Sequence, residues 1–346
     1  MPWFLETVPF RDVARAREDI ARLRRRIYAS GIPEKRTDKN LLIGTWNVRA
    51  FSEVFPQWGE NPASPKRNYR ALATIAEIAR GFDVIAIQEV KRDTGGIRLL
   101  QNWLGPSWGL ILSDVTAGAQ GNAERLSFLY DQRRVRPSGL TGELVLPPTP
   151  QGDPTVQFAR TPYIVGFECR QERFVLLTAH IKYGSVPEDR IDEIRSLAAF
   201  VAREIRDRAQ DASSEEANLI VLGDFNIDER GDNPLFQAFR STGLTVPEQL
   251  DKLQTTYGSK PKYYDQIGWF MGAMNLQLQD AGVINFAGAV FPEITLHSMS
   301  FRVSDHFPLW ASFNIDRSTE KMAHILGVDP GMPDPLSSVP DAFPPN

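Results

Sequence analysis

The sequence predicts an α/β protein of the layered-sandwich class, with helices on its outer faces. From residue 41 onward it runs in short β-like stretches: "LLIGTWNV", "DVIAIQEV", "RLSFLYD", "TPYIVGFEC", "RFVLLTAHI", "NLIVLGDF", "YYDQIGWF" and "FPLWASFNI". Several are almost continuously apolar, as expected of strands covered on both faces. Amphipathic segments lie between them without the regular alternation of a doubly wound fold, which favours packed sheets with outer helices. No repeat or low-complexity tract is present, so solenoids and propellers are excluded.

In chain order, the first element is a helix over Arg11 to Tyr28, where Val13, Ala16, Ile20, Leu23 and Ile27 recur at steps of three and four and share one stripe. Its other face is rich in arginine. Interspersed acids make this the solvated face of a docked helix rather than a nucleic-acid arm. The linker "SGIPEKRTDKN" follows. A second helix spans Tyr69 to Arg80 on Leu72, Ile75 and Ile78, and a third spans Pro187 to Arg208 on Ile191, Ile194, Leu197, Val201 and Ile205. Ser185 is the expected cap of the third, with proline and acids in its first turn. Two proline-rich loops, Phe51 to Lys66 and Leu146 to Pro154, punctuate the chain. The expected organisation is an N-terminal helical extension with linker (1–40), one large domain (41–316), and a C-terminal tail (317–346), extended or partly disordered, that ends "GMPDPLSSVPDAFPPN".

Composition narrows the function. A net charge of -4 argues against a protein that holds nucleic acid by bulk attraction. The single cysteine, Cys169, cannot form an intrachain disulfide and reads as a small buried hydrophobe. The start "MPWFLETVPF" has neither the basic end nor the apolar run of a secretory signal, early acids argue against a transit peptide, and no apolar stretch of about 18 residues occurs. The expected location is the cytoplasm, with no membrane partner.

Polar residues recur where apolar runs end: Asn47, Glu89, His180, Asp224, Asn226, Asp265, Asp305 and His306. Any one of them fits a turn or cap. Together they place several carboxylates at one rim, where like charges are tolerable if a divalent cation neutralises them. Oxygen donors without thiolates suit Mg²⁺, with Mn²⁺ or Ca²⁺ as alternatives, and such a site suits phosphoester cleavage. In "VLGDFNID" strand alternation is expected to send Asp224 and Asn226 to one face and Phe225 into the core.

The blocks "GTWNVRAF", "IAIQEVK", "AERLSFLYD", "FARTPYIV", "LTAHIKYG", "VLGDFNID", "YYDQIGW" and "SDHFPLW" resemble, in order and type, the endonuclease/exonuclease/phosphatase superfamily, and within it the deoxyribonuclease I branch. The resemblance spans roughly Leu41 to Ile315. It implies a four-layered α/β/β/α sandwich of two packed mixed sheets flanked by helices, with 41–316 as the catalytic domain. It further implies metal binding by Glu89, Asp305 and Asn47, and orientation of water and phosphoryl oxygens by Asp224 and Asn226. His306 partnered by Asp265 is the implied acid/base, and His180 partnered by Glu124 the second histidine. Arg49 and Arg160 are implied phosphate contacts, a role that suits a bidentate guanidinium. Lys91 and Arg92 stand where relatives reach into the DNA minor groove, but in a different order. The loop residues Phe51, Phe55 and Trp58 read as core cover in preference to base-stacking groups, and His297 and His324 fall outside every block.

The implied activity is a Mg²⁺-dependent phosphodiesterase acting on nucleic acid as an endonuclease, DNA favoured, from a monomer with no protein partner. The alternatives are a phosphatase or phosphodiesterase on a small phosphorylated molecule or lipid headgroup, and a catalytically silent module that kept the fold.

Overall fold

The computed structural model describes residues 8–117, 121–149, 151–208, 218–258, 260, 262–270 and 274–328. Two six-stranded mixed sheets pack face to face. The first runs β11 (Gln277–Val283), β12 (Leu309–Asn314), β1 (Asn40–Phe51), β2 (Val84–Lys91), β4 (Glu124–Asp131) and β3 (Trp108–Leu112). The second runs β5 (Arg136–Glu143), β6 (Tyr163–Cys169), β7 (Glu172–His180), β8 (Leu219–Asp224), β10 (Asp265–Phe270) and β9 (Leu244–Thr245). The pairs β1/β2 and β7/β8 are parallel and the other ladders antiparallel. Helices α1 (Val13–Ala29), α2 (Tyr69–Ala79) and α3 (Gly95–Leu104) cover the first sheet, and α4 (Ile191–Arg208) and α5 (Pro234–Arg240) the second. This is the four-layered sandwich that the sequence implies.

Strand alternation explains the layers. Leu41 and Ile43 of β1, Val84 and Ala86 of β2, Phe174 and Leu176 of β7, and Ile220 and Leu222 of β8 meet between the sheets. Their neighbours Trp46, Ile85 and Ile87 face the first helical layer, and Val175, Leu177 and Val221 the second. Along the same inward faces the residue type then changes. Gln88 donates from Nε2 to Thr45 Oγ1 and Thr178 Oγ1, both at 2.9 Å, and so bridges the sheets where the apolar core ends. Asn47, His180 and Asp224 lie one step farther along those strands, and Asp265 of β10 stands beside Asp224.

All eight apolar blocks contain strands. β3, β5, β9 and β11 carry no such block: β5 and β11 lie at sheet edges with alternating or exposed polar residues, and β9 has two residues. The N-terminal helix does dock, through Leu23 in the core, Arg24 Nε on Glu77 Oε1 (2.5 Å) and Asp19 Oδ2 on Arg70 Nε (2.6 Å). Ser185 is not the cap expected of the third helix. Asp189 takes that part, its Oδ2 accepting from the backbone N–H of Ser185 (2.7 Å) and Val186 (3.2 Å). The expected tail also begins differently: after the short helix α6 (Leu296–Ser300) and β12, Ser318–Leu326 forms α7, closed by Gly327 in the left-handed conformation with Val328 N–H on Ala323 O (2.9 Å). The rest of that tail, 329–346, lies outside the described residues. In the long loop, Phe51 and Trp58 are buried, with Trp58 stacked on Trp103 at 6.3 Å, and they act as core cover. Cys169 is buried, and burial pushes its thiol up to about 12. Among the described residues no helix is long and apolar enough to cross a membrane.

Gly223 makes the parallel β7/β8 pair possible beside the site. Its φ is +141°, and a Cβ there would stand 2.1 Å from Ala179 O. We expect Gly223→Ala to lower stability by at least about 1–3 kcal/mol, the usual range for forced overpacking. A urea-unfolding midpoint equal to the parent's would show that the strands separate at no cost.

Candidate active site

Register assembles the site. Asp224, the last residue of β8, stands opposite His180 of β7 on one side and Asp265 of β10 on the other. The facing sheet supplies Asn47 from β1 and Glu89 from β2, each at a break in the β1/β2 ladder. Residue 306 lies in the segment leading into β12, bridged to Thr256.

One oxygen is the focus. Asp224 Oδ2 accepts from Asn47 Nδ2 at 2.9 Å and lies 3.6 Å from His180 Nε2 and 3.8 Å from His306 Nε2. The two imidazoles thus present the same nitrogen to one carboxylate, and each is fixed from behind. His306 Nδ1 is 2.8 Å from Asp265 Oδ2, and His180 Nδ1 is 2.8 Å from Glu124 Oε2. A carboxylate on Nδ1 sets ring orientation and leaves Nε2 for chemistry.

Burial alone would lower the His306 imidazolium, but Asp265, Asp224 and Asp305 outweigh it and raise it to about 10. Burial likewise opposes the charge on Asp224, yet His306, His180, Asn47 and the Asn226 N–H hold its carboxyl below the usual range. Glu124 is held at about 2 against burial by His180, Arg160 and Lys91. Arg160 Nε lies 2.7 Å from Glu124 Oε2, and Lys91 Nζ 2.9 Å from Oε1.

The remaining expected residues are placed less uniformly. Asn226 does not share a strand face with Asp224: β8 ends at Asp224, and Asn226 turns out of the strand with φ +51°. Its N–H returns to Asp224 Oδ1 (2.9 Å) and its Nδ2 donates to Ile181 O (2.7 Å). Phe225 packs inward as expected, 4.8 Å from Phe239. Glu89 accepts from Asn47 Nδ2 at 2.9 Å and from Ala50 N–H at 2.8 Å. Asp305 instead pairs with Arg49, at 3.0 Å. His297 is exposed, near the Tyr257 hydroxyl at 3.5 Å.

Among the described residues, Asp224, Asp265 and His306 form a group whose possible ligand atoms all lie within 4.8 Å of one another, and neither Glu89 nor Asp305 belongs to such a group. The residues fit a hard divalent cation on two counts. Asp265 Oδ1 is buried with no hydrogen-bond partner, and Glu89 makes no close ion pair among the described residues, the Arg67 charge acting on it only through space.

Sequence reasoning missed two arginines. Arg67, buried, donates to the carbonyls of Val48 (3.0 Å), Arg49 (2.9 Å), Arg302 (2.9 Å) and Val303 (3.1 Å), and so ties the Asn47 segment to the one before His306. Arg190 ties Tyr183 O (2.5 Å), Asn226 O (2.6 Å) and Asp228 Oδ2 (2.9 Å). Most of their partners are backbone carbonyls, and those of Arg302, Val303 and Asn226 come from distant segments, so no local pattern marks either arginine.

The family described as the Endonuclease/Exonuclease/phosphatase family matches residues 44–306. The chain belongs to that family. Hydrolysis of a phosphoester bond is the chemistry its named activities share. A protein named Deoxyribonuclease from Thioalkalivibrio sp. (strain K90mix) is 29% identical over 286 residues, which cover 79% of this chain and 71% of that one. Solved structures share the fold. An endonuclease/exonuclease/phosphatase family protein from Bacteroides thetaiotaomicron has TM-score 0.55 at 17% identity, covering 80% of this chain and 95% of its own. A mannosyl-6-phosphatase from Bacteroides thetaiotaomicron VPI-5482 has TM-score 0.54 at 17% identity, covering 79% and 99%. Both nuclease and phosphatase names therefore occur among proteins similar to this member of the family.

The depressed Glu124 carboxyl gives a pH signature. A group whose folded value lies below its ordinary 4.5 contributes stability that is complete above that value and is lost as pH falls toward about 2. Glu124→Gln removes the titration. We expect its melting temperature to be lower than the parent's near neutrality and the gap to close between about pH 4.5 and 2; a gap constant across that window would remove Glu124 from the acid response.

Proposed function

We propose that this protein is a Mg²⁺-dependent phosphodiesterase that cuts nucleic acid internally, with DNA as its substrate. The carrying observation is the convergence of both Nε2 atoms on Asp224 Oδ2, each imidazole backed by its own carboxylate. Phosphodiester hydrolysis needs a proton taken from water, a proton given to the leaving oxygen, and donors for the charge gathered on the phosphoryl group. Two imidazole–carboxylate pairs around one anion provide for both transfers, and the similarity to a protein named Deoxyribonuclease supports the choice of DNA.

The roles divide by charge. His306, protonated at neutral pH in the described state, gives its Nε2 proton to the leaving oxygen as the phosphorus–oxygen bond breaks. Asp224, ionised, orients the water whose oxygen forms the new bond, and His180 Nε2 is placed to receive its proton. Arg49 and Arg160 are donors to phosphoryl oxygens, and the Asn226 turn holds the Asp224 carboxylate in place. A divalent cation would be held by Glu89 with Asn47 and Asp305, next to Asp224 and Asp265. Bound there, it would supply Lewis-acid polarisation of a phosphoryl oxygen and offset the crowded carboxylates.

Cleavage of plasmid and of circular single-stranded DNA in Mg²⁺, run beside a panel of soluble phosphomonoesters, tests the reading. Cleavage of circular DNA that EDTA abolishes and that His306→Ala lowers by about a hundred- to ten-thousandfold is expected. Turnover of phosphomonoesters with both circular DNAs left intact would transfer the site to small phosphorylated substrates, and undiminished cleavage by His306→Ala would remove the assigned acid.

A further inference from the structure

A row of aromatic rings leads away from the candidate site. Tyr264, next to Asp265, has its ring centroid 6.0 Å from that of His306, and Tyr183, three residues past His180, lies 6.2 Å from Tyr264 at an interplanar angle of 84°. Tyr183 is 56% exposed, an unusual setting for a large ring beside a buried polar centre. It is nevertheless held. The Arg190 guanidinium lies 4.2 Å from the ring centroid, and Arg190 Nε donates to the Tyr183 carbonyl at 2.5 Å. Arg190 is itself 2% exposed and fixed by Asn226 O and Asp228. Tyr183 also lines an open groove of about 510 Å³ with Pro187, Ile191, Pro234 and Lys262.

A ring held by an immobilised guanidinium and met at a steep angle by Tyr264, yet still more than half exposed, can receive a flat partner at little conformational cost. The flat partner that comes attached to a phosphodiester is a nucleobase. A base in a duplex already has both faces covered, so the partner must be unpaired. Stacking of this kind suits any base, because every base has a π-face.

We infer that Tyr183, positioned by Arg190, is a stacking shelf for one unpaired nucleobase of the strand whose phosphate lies at His306, which makes single-stranded polynucleotide the preferred substrate. This rests on the proposed nuclease function and deepens it. Tyr264 spans the gap between shelf and phosphate site.

The test uses the full-length chain in Mg²⁺ with two fluorescein-labelled strands whose phosphorothioate linkages resist hydrolysis. One carries thymine at every position, and the other carries abasic tetrahydrofuran residues throughout. Fluorescence anisotropy gives the ratio of their dissociation constants. We expect the parent to prefer the base-bearing strand, Tyr183→Ala to reduce that preference about tenfold, and Tyr183→Trp to keep it. A ratio cancels partial loss of folded protein. No binding of the base-bearing strand, no preference in the parent, full preference in Tyr183→Ala, or loss of preference in Tyr183→Trp would each overturn the shelf. Cleavage of an ordinary phosphodiester thymidine strand is scored separately: a strand bound with the expected preference but left whole in Mg²⁺ overturns the nuclease reading and leaves the shelf standing.

Discussion

A buried carboxylate at the end of the space between two sheets is the constraint around which this structure is arranged. Asp224 is 1% exposed and ionised, a state costly to maintain without partners. Its partners come from both sheets: Asn47 from the first, His180 from the second, and His306 from the segment entering β12. The bridge of Gln88 with Thr45 and Thr178 marks where the inter-sheet space changes from apolar packing to polar pairing. Asn47, His180 and Asp224 carry that change by following apolar residues on the same strand face, whereas Glu89 stands where the β1/β2 and β2/β4 registers shift. The same alternation that builds the core therefore delivers the site.

Such a site needs backbone that ordinary strands do not provide. Arg49, Ala50, Glu89 and Asn226 all have positive φ, and none is glycine. They lie where β1, β2 and β8 end or bulge, so the unfavourable conformations sit within a residue or two of the acids they aim. Arg67 and Arg190 hold these departures in place. Each spreads its donors over carbonyls from separate segments, and the Arg67 guanidinium, held to about 10 chiefly by its burial, lacks a direct carboxylate partner among the described residues. A lysine cannot reproduce that fan of planar donors.

Much of this was legible in the sequence because the same face-by-face pattern wrote both core and site. The eight apolar blocks located the strands that carry Asn47, Glu89, Glu124, His180, Asp224 and Asp265. Resemblance supplied the pairings of His306 with Asp265 and His180 with Glu124, which composition alone left open. Edge strands were lost because β5 and β11 are half exposed and too polar to form an apolar run. Asn226 was misplaced on a strand face because alternation assumes that the strand continues, whereas β8 stops at Asp224. The helix α7 was hidden by the proline-rich stretch after it, and the arginine clamps by the absence of any local periodicity in contacts to carbonyls.

The electrostatics separate two ways of holding a polyanion. Around the site the basic side chains are already engaged: Arg49 with Asp305 at 3.0 Å, Lys91 and Arg160 with Glu124 at 2.9 and 2.7 Å, and Arg190 and Lys262 with Asp228 at 2.9 and 2.5 Å. On the proposed function, a phosphate arriving at Arg49 would exchange one anionic partner for another, so the gain in charge pairing would be small, and the net charge of -4 adds no long-range attraction. Affinity built on counterion release needs free cations along the strand's path. On the proposed function, strand capture must then come from short-range terms at fixed positions: a cation offsetting Glu89, donors at one phosphate, and a ring for one base. These terms depend on placement rather than on charge density, which is why the backbone strain and the two arginine clamps are concentrated at this end of the sandwich.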